Sequence, residues 1–197
     1  MNDEPEKNSL APEYFEGVYE ADDDPWNFSA SEYEAGKYAA TVDALPLEKY
    51  ESALEVGCSI GVLTAQLAKK CESLLAVDVN ETALRQARER CENLPNVRLA
   101  KMQIPGDFPE ENFDLIVVSE VGYYLSVGDW RRAQEKLLTH LKPHGNIILV
   151  HWTHFVADYP QTGDAVHDSF AECAAGVTEL LQTRRTADYR LDVWAKL

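Results

Sequence analysis

The stretch ALEVGCSIG, at positions 53–61, contains an acidic residue and two glycines in a pattern typical of a ligand-binding turn. Gly57 and Gly61 let the backbone approach a ligand closely, because glycine has no Cβ to stand in the way. A second apolar stretch, LLAVDV at 74–79, places Asp78 near its end. A carboxylate at the carboxyl end of a strand can accept hydrogen bonds from both hydroxyls of a ribose. The spacing therefore predicts a pocket for a nucleoside-like ligand.

The two acidic residues of this pattern each have a second interpretation. A strand-end carboxylate such as Asp78 often caps the following helix. Asn80 and Glu81 are closer to the start of that helix and better placed to cap it, which favours the ribose role for Asp78. Glu55, two residues before Gly57, is either a solvated strand-end acid or the residue that orders the glycine turn.

A longer apolar stretch, FDLIVVSEVGYYL at 113–125, ends in further polar and aromatic residues. In open α/β sheets, ligands bind beyond the carboxyl ends of the strands, so Glu120, Tyr123 and Tyr124 are placed to meet a ligand. Glu120 could equally be the acid at the start of the next helix, and the two tyrosines could be core aromatics.

Predicted strands and helices alternate along the part of the chain that contains these residues. Strands are predicted at 51–56, 73–79, 97–101, 113–121 and 146–152, and helices at 60–70, 81–92 and 129–141. This alternation predicts an α/β protein with a parallel sheet and helices on both faces. Towards the end of the chain we predict a helix at 164–175 and strands at 177–184 and 189–196. Only a tight turn separates those two strands, so they are antiparallel.

The first 48 residues stand apart from this alternation. Residues 1–12 are predicted to be flexible, and residues 13–48 to form a helical lid on the domain at 49–197. The lid is expected to contain an amphipathic helix at 31–45, which follows a turn at Asp24-Pro25-Trp26.

Composition limits the class of protein. The chain has 197 residues and a net charge of −16 at pH 7, and its length suits one domain with one core. Lys and Arg form no stripe that would follow a phosphate backbone, which argues against a nucleic-acid partner. The acidity indicates either a surface that keeps the protein soluble or attraction of a cationic substrate such as an amine.

Cysteine usage and hydropathy indicate the compartment. The four cysteines form no C-x-x-C pair, which is typical of reduced thiols in a cytoplasm. Residues 1–9 lack the apolar core of a secretory signal, and no stretch reaches the roughly 20 apolar residues of a membrane span. We therefore expect a cytoplasmic protein, monomeric or homodimeric, with no membrane partner.

Taken together, the motifs resemble those of class I S-adenosylmethionine-dependent methyltransferases over about residues 50–197. Glu55-Val-Gly57-Cys-Ser59-Ile-Gly61 matches that family's first motif, Asp78 its second and 113–125 its fourth. The G-x-G-x-x-G spacing of dinucleotide-binding dehydrogenases is missing from the sequence. The resemblance implies a three-layer Rossmann-like α/β fold with a seven-stranded, mostly parallel sheet and an antiparallel last strand. It also implies S-adenosylmethionine as the cofactor and S-adenosylhomocysteine as its product.

A narrower resemblance covers most of residues 15–150. The Asp-Pro-Trp segment and the following helix, ALEVGC and FDLIVVSEVGYYL are similar to those of the rhizobial nodulation methyltransferase S family. Those enzymes N-methylate the free amine of a deacetylated chitooligosaccharide. The resemblance implies an N-methyltransferase for an amino sugar or oligosaccharide amine. The alternatives are O-methylation of a small metabolite and a cofactor-binding scaffold without catalysis.

This resemblance also implies which residues form the cofactor pocket. They are Trp26, Glu55, Gly57, Cys58, Ser59, Gly61, Asp78, Val79, Met102, Gln103, Ile104 and Glu120. Ser59 stands where the family often has glycine, and Gln103 where an acidic residue often bonds the adenine amino group. The side-chain oxygen of Gln103 can accept the same bond. Trp26 is either a staple for the amino-terminal helix or a lid beside the sulfonium, held there by cation–π attraction.

N-methylation needs a neutral amine, so a base near the methyl group is useful. His151 is the first candidate and Glu120 the second, although a histidine on a strand edge is often simply buried and hydrogen-bonded. Glu120 could instead contact the methionine end of the cofactor. The predicted acceptor pocket contains Tyr123, Tyr124, His154, Asp158 and Tyr159, with His167 as a further candidate in an irregular insertion at 153–170. No metal is predicted, because two histidines without a third ligand seldom form a site.

Overall fold

The structure is a computed structural model that describes residues 7–197. Within these residues the strands are β1 (Tyr50–Val56), β2 (Cys71–Asp78), β3 (Val97–Lys101), β4 (Phe113–Ser119), β5 (Leu141–Trp152), β6 (Thr178–Arg185) and β7 (Tyr189–Lys196). The helices are α1 (Pro12–Ala21), α2 (Glu32–Asp43), α3 (Val62–Leu67), α4 (Glu81–Arg90), α5 (Val127–His140) and α6 (Gly163–Cys173). Short 3₁₀ turns follow α3 at Ala68–Lys70 and β4 at Gly122–Tyr124.

The strands form one seven-stranded sheet in the order β3-β2-β1-β4-β5-β7-β6. Every neighbouring pair is parallel except the two pairs that involve β7, which runs antiparallel to both β5 and β6. The predicted α/β fold with an antiparallel last strand is therefore confirmed. The strand order reverses between β1 and β4, and ligands bind at such a switch point in open α/β sheets.

Both faces of the sheet are covered, which gives three layers. Ile116 belongs to the apolar cluster that contains Trp130 of α5 and Phe170 of α6. Its neighbour Leu115 belongs to the cluster on the opposite face, which contains Leu63 of α3. Successive side chains of a strand point to opposite faces, so a doubly covered strand is apolar at successive positions, as β4 is over residues 115–118.

Several element bounds differ from those predicted, for local reasons. Strand β4 ends at Ser119 because Glu120 adopts a left-handed conformation with φ 59°. Helix α5 begins two residues early because the side chain of Ser126 accepts a hydrogen bond from the Asp129 amide and caps the helix. Strand β5 begins at Leu141, and its pairing with β4 shifts register next to Phe113.

The first described residues make hydrogen bonds to the loop that follows β4. Residues 1–6, part of the segment predicted to be flexible, lie outside the described residues. Leu10 donates its amide to the Tyr124 carbonyl at 2.8 Å, and the hydroxyl of Ser9 donates to Asp129. Helix α1 begins at Pro12, which suits a first helical position because it has no amide to satisfy. Residues 7–11 therefore lie across the loop that follows β4.

The helix predicted at 31–45 is present as α2. Ser31 caps it by accepting a hydrogen bond from the Glu34 amide. In the preceding turn, the Asp24 carboxylate accepts hydrogen bonds from the amides of Phe28 and Ser29, which holds Trp26 at the bend. Between residues 7 and 197, no helix is long and apolar enough to cross a membrane.

Candidate functional site

A cavity of about 880 Å³ opens beyond the carboxyl ends of β1, β2, β3, β4 and β5. Nine of the residues predicted to bind a cofactor line it: Trp26, Gly57, Ser59, Asp78, Val79, Met102, Gln103, Ile104 and Glu120. Three of the predicted acceptor residues, Tyr123, Tyr124 and Tyr159, also line it. The fold therefore brings the two predicted groups of residues into one chamber.

The turn after β1 brings bare backbone to the cavity wall. Gly57 has φ 83°, which favours glycine, and a Cβ there would lie 2.2 Å from Cγ2 of Val121. Gly61 has φ 80°, but its Cβ would meet Ala87 of α4 at 3.0 Å. The missing Cβ of Gly57 therefore lets Val121 pack against the turn, and that of Gly61 lets α4 do so, while Gly57 also lines the cavity.

Asp78 ties this turn to the end of β2 without capping the next helix. Its Oδ2 accepts a hydrogen bond from the Ser59 amide at 2.8 Å, and its Oδ1 accepts one from the Asn80 amide at 2.9 Å. Asn80 caps α4 instead, since its side chain accepts a hydrogen bond from the Ala83 amide. Burial raises the pKa of Asp78 above its usual value. The remaining lone pairs of the carboxylate are available to hydroxyl groups of a ligand.

One end of the cavity is apolar. Val79, Met102 and Ile104 line it, and they could cover the two faces of a flat heterocycle. The backbone amide of Gln103 donates to Oδ2 of Asp107 at 3.0 Å, which holds the turn after β3. Gln103 also lines the cavity, so its side-chain amide is placed to bond a ring substituent.

Glu120 stands where the strand order reverses, with its carboxylate held by three donors. Its Oε1 accepts a hydrogen bond from Nζ of Lys37 at 2.7 Å. Its Oε2 accepts from the Trp152 amide at 3.0 Å and from the Tyr123 hydroxyl. Among the described residues, these bonds use three of the roughly four acceptor positions of a carboxylate. Because the side chain is 15% exposed, a fourth position is available to a ligand.

Lys37 and Glu34 are site residues that the sequence analysis missed. Nζ of Lys37 lies 2.9 Å from Oε2 of Glu34 as well as close to Glu120, and its side chain is only 2% exposed. Burial opposes its charge, but the two carboxylates raise the pKa of Lys37 and keep it cationic. The sequence did contain a signal for this pair, the spacing Glu34-x-x-Lys37 on a helix expected to face the sheet. A lysine buried by such a helix requires an anionic partner, and a glutamate three residues away can provide it.

Aromatic rings line the part of the cavity that follows β4 and β5. The rings of Tyr123 and Tyr159 stack with centroids 5.2 Å apart, and Tyr124 meets Tyr159 edge to face at 4.8 Å. Phe15 of α1 contacts Tyr124 edge to face at 5.0 Å. Burial raises the pKa of Tyr123 well above its usual value, so its hydroxyl stays protonated and donates to Glu120.

Trp26 joins the amino-terminal helices over the cavity. Its ring stacks on Phe28 at 5.6 Å and meets Tyr19 edge to face, also at 5.6 Å. The Tyr19 hydroxyl lies 2.5 Å from Oγ of Ser59, which connects α1 to the turn after β1. Ser59, with φ 49°, therefore has a side-chain contact that glycine at the same position would lack.

His151, the first candidate for the base, does not face the cavity. Trp152 lines the cavity, and neighbouring residues of a strand point to opposite faces, so His151 points into the core. The ring is fully buried, and its Nε2 accepts a hydrogen bond from the Gly122 amide at 3.0 Å. This corrects the prediction of a pocket-facing histidine and leaves Glu120 as the candidate.

Six other predicted residues also lie away from the cavity wall. His154 is exposed and pairs with Asp188 at 2.9 Å, Asp158 is exposed, and His167 is buried against Asp192. The side chains of Glu55 and Cys58 are buried, and Gly61 faces Ala87 of α4. Burial raises the pKa of Glu55 to about 7. Within residues 7–197, no group of three or more His, Cys, Asp or Glu side chains could hold a metal ion.

Comparison with known proteins gives consistent matches. The family model of nodulation protein S (NodS) matches residues 17–158. Nodulation protein S of Rhizobium tropici is 35% identical over 130 residues, which are 65% of this chain and 55% of that protein. The match thus spans little more than half of that relative's length.

Two solved structures resemble the whole fold. A Pseudomonas syringae protein, assigned provisionally as a methyltransferase, is 34% identical with a TM-score of 0.74, covering 84% of this chain and 100% of that one. The N-methyltransferase NodS of Bradyrhizobium japonicum WM9, in complex with S-adenosyl-L-homocysteine, is 22% identical with a TM-score of 0.77. That match covers 93% of this chain and 97% of the other, and it shows a shared fold.

Proposed function

Because the chain belongs to the nodulation protein S family, we propose that it is an S-adenosylmethionine-dependent methyltransferase that methylates an amine nitrogen. The observation that carries this proposal is the placement of Asp78 and Glu120 on one cavity wall, beyond the ends of β2 and β4. The first suits a ribose, and the second lies beside Tyr123, whose ring lines the same cavity.

The residues of the wall fit this cofactor. Asp78 would accept the ribose hydroxyls, and Val79 and Ile104 would cover the adenine. Gly57 lines the cavity, and the methionine portion would lie against the backbone of its turn. When bound, the cofactor supplies an electrophilic methyl group on a sulfonium.

The chain's own contribution is to hold the acceptor and manage its proton. The free acceptor position of Glu120 would accept a hydrogen bond from the amine and take its proton as the nitrogen forms its new bond. Lys37, Tyr123 and the Trp152 amide hold the carboxylate in place, so little reorganisation is needed. Holding two reactants in one orientation accounts for most of the expected acceleration.

The acceptor that we propose is an amino sugar or an oligosaccharide with a free amine. The family relationship supports this class, as does the similarity to NodS of Bradyrhizobium japonicum WM9, which is an N-methyltransferase. The rings of Tyr124 and Tyr159 supply apolar surfaces against which the C–H face of a sugar could pack. The net charge of −16 would favour approach of a cationic amine.

A methyl-transfer assay tests the proposal. The protein is incubated with S-adenosylmethionine and glucosamine oligomers, and fully N-acetylated oligomers of the same length serve as matched controls. We expect S-adenosylhomocysteine to form and the methyl group to appear on nitrogen only where the amine is free. If the cofactor binds but no amine is methylated, the assigned acceptor is wrong. If the cofactor does not bind, the assigned cavity is wrong as well.

A further inference from the structure

A chain of three buried side chains crosses the core behind the cavity. Nδ1 of His151 on β5 lies 3.1 Å from Nε2 of His167 on α6. Nδ1 of His167 lies 2.8 Å from Oδ2 of Asp192 on β7. All three residues are fully buried. Buried polar groups are costly unless all of them are bonded, and a fully bonded chain holds a single arrangement.

The proton positions along this chain follow from the Gly122 amide. A backbone amide can only donate, so Nε2 of His151, 3.0 Å from it, carries no proton. The proton of His151 is then on Nδ1 and is donated to Nε2 of His167. His167 in turn carries its proton on Nδ1 and donates it to Asp192. Each hydrogen bond thus fixes the proton position on the next ring, and both imidazole rings are neutral.

At one end of this row of hydrogen-bonded side chains, Asp192 is held by further donors, one of them charged. Asp192 also accepts hydrogen bonds from Nε of Arg190 at 2.9 Å and from Oγ1 of Thr183 at 2.5 Å. Burial opposes ionisation, but hydrogen bonds from His167 and Thr183 hold the pKa of Asp192 below its usual value. A carboxylate with three donors is a firm terminus, because each bond to a charged group is strong.

At the other end of this row, His151 contacts the turn beside the proposed active site. Gly122 begins the 3₁₀ turn that carries Tyr123, and a Cβ on Gly122 would lie 3.1 Å from Nε2 of His151. The Tyr123 ring meets the His151 ring edge to face at 5.5 Å, and its hydroxyl donates to Glu120. His151 therefore contacts both the backbone and the ring of the turn that orients Glu120.

From these contacts we infer that His151, His167 and Asp192 form a positioning relay for the Gly122–Tyr124 turn, and through it for Glu120. Neither histidine lines the cavity. The relay connects the orientation of Glu120, the proposed base, to α6 and β7. In the strand order, β4 and β5 separate β7 from β1, the strand that precedes the glycine turn. This inference rests on the proposed methyl transfer for its catalytic consequence, but not for its geometry.

Two substitutions at the same position separate positioning from mere packing. His151→Leu removes the acceptor for the Gly122 amide, whereas His151→Gln can place its Oε1 near the former position of Nε2. We expect His151→Leu to lower kcat for methyl transfer about 100-fold, because a displacement of about 1 Å can cost that much. The Kd for S-adenosylhomocysteine should stay within about threefold, because the Asp78 end of the cavity is unaffected. His151→Gln should recover most of kcat.

Two measurements do not depend on activity. Long-range ¹H–¹⁵N spectra of the wild type should show the proton of both His151 and His167 on Nδ1. Hydrogen exchange of the Gly122 amide should be at least about tenfold faster in His151→Leu than in the wild type, and nearly normal in His151→Gln. If His151→Leu does not fold, His167→Leu takes its place: it removes the acceptor of the His151 Nδ1 proton, so it should give faster exchange of the Gly122 amide and a smaller loss of kcat.

The outcomes are distinct. Equal impairment of the Leu and Gln variants, unchanged Gly122 exchange in His151→Leu, or the opposite tautomers would each overturn the relay. A wild-type protein that methylates no acceptor overturns the proposed function instead. In that case the tautomer and exchange data still decide whether the relay holds the turn.

Discussion

Nζ of Lys37 lies 2.7 Å from Oε1 of Glu120, and this contact joins helix α2 to the carboxyl end of β4. The pair is buried, with Lys37 only 2% exposed. Glu120 has φ 59°, a conformation that a non-glycine residue keeps only where its surroundings hold it there. The amino-terminal helices are thus electrostatically bound to the residue that we propose as the base.

The first prediction concerns the stability of this contact. Lys37→Met leaves Glu34 and Glu120 without their cation, and breaking a buried pair in this way costs about 3–5 kcal/mol. Urea denaturation measures the loss. The matched control is the exposed pair Arg98–Glu111, where Arg98→Met should cost less than about 1 kcal/mol.

A second variant makes that test sharper. Adding Glu120→Gln to Lys37→Met should cost clearly less than the sum of the two single substitutions, because it removes one of the two stranded charges. Additive losses would show that the two side chains do not interact.

The second prediction concerns Asp78. Asp78→Asn keeps the size of the side chain but replaces one acceptor oxygen and removes the charge. We expect the Kd for S-adenosylhomocysteine to rise about 10–100-fold, since a hydrogen bond to a charged group contributes about 1.5–3 kcal/mol. Isothermal titration calorimetry measures it. Glu81→Gln, three residues away and exposed, should leave the Kd unchanged. An unchanged Kd in Asp78→Asn contradicts the ribose assignment.

The third prediction concerns the contact between α1 and the glycine turn. Tyr19→Phe removes the hydroxyl that lies 2.5 Å from Oγ of Ser59. We expect cofactor affinity to fall about 2–10-fold, the range for one neutral hydrogen bond. Tyr14→Phe, on the same helix and exposed, is the control. Equal affinities in the two variants would show that this contact of α1 does not contribute to cofactor binding.

The fourth prediction concerns pH. Burial raises the pKa of Glu55 from 4.5 to about 7 in the folded protein. The folded state therefore binds more protons than the unfolded state over this range, and the free energy of unfolding falls as pH rises. Relative to Glu55→Gln, the wild type should lose about 3 kcal/mol between pH 4 and 8. Denaturation at a series of pH values tests this, with exposed Glu72→Gln as the control. Parallel curves for wild type and Glu55→Gln would refute it.

Much of the fold and half of the site could be predicted from local patterns. The alternation of apolar strands with helices predicts the sheet. Gly57 and Asp78 could be predicted as site residues because each stands at the end of a predicted strand and is of a residue type that suits this place. A sequence alone does not show which face of a strand reaches the cavity. His151 and Trp152 are neighbours with opposite directions, and only the register of β5 against β7 decides between them.

Lys37 illustrates the other limit. Its partner Glu120 lies 83 residues away along the chain, and helical spacing predicts only the nearby pair with Glu34. Long-range ion pairs depend on how α2 packs on the sheet, which composition and periodicity do not determine. The same holds for the contact of residues 7–11 with the loop after β4.

The most direct test of the account is a crystal structure of the protein with S-adenosylhomocysteine. We predict that both ribose hydroxyls donate to the Asp78 carboxylate, that the adenine lies between Val79 and Ile104, and that the sulfur faces Glu120 and the tyrosines. A ligand bound with its ribose away from Asp78, or with its sulfur turned from Glu120, would contradict it.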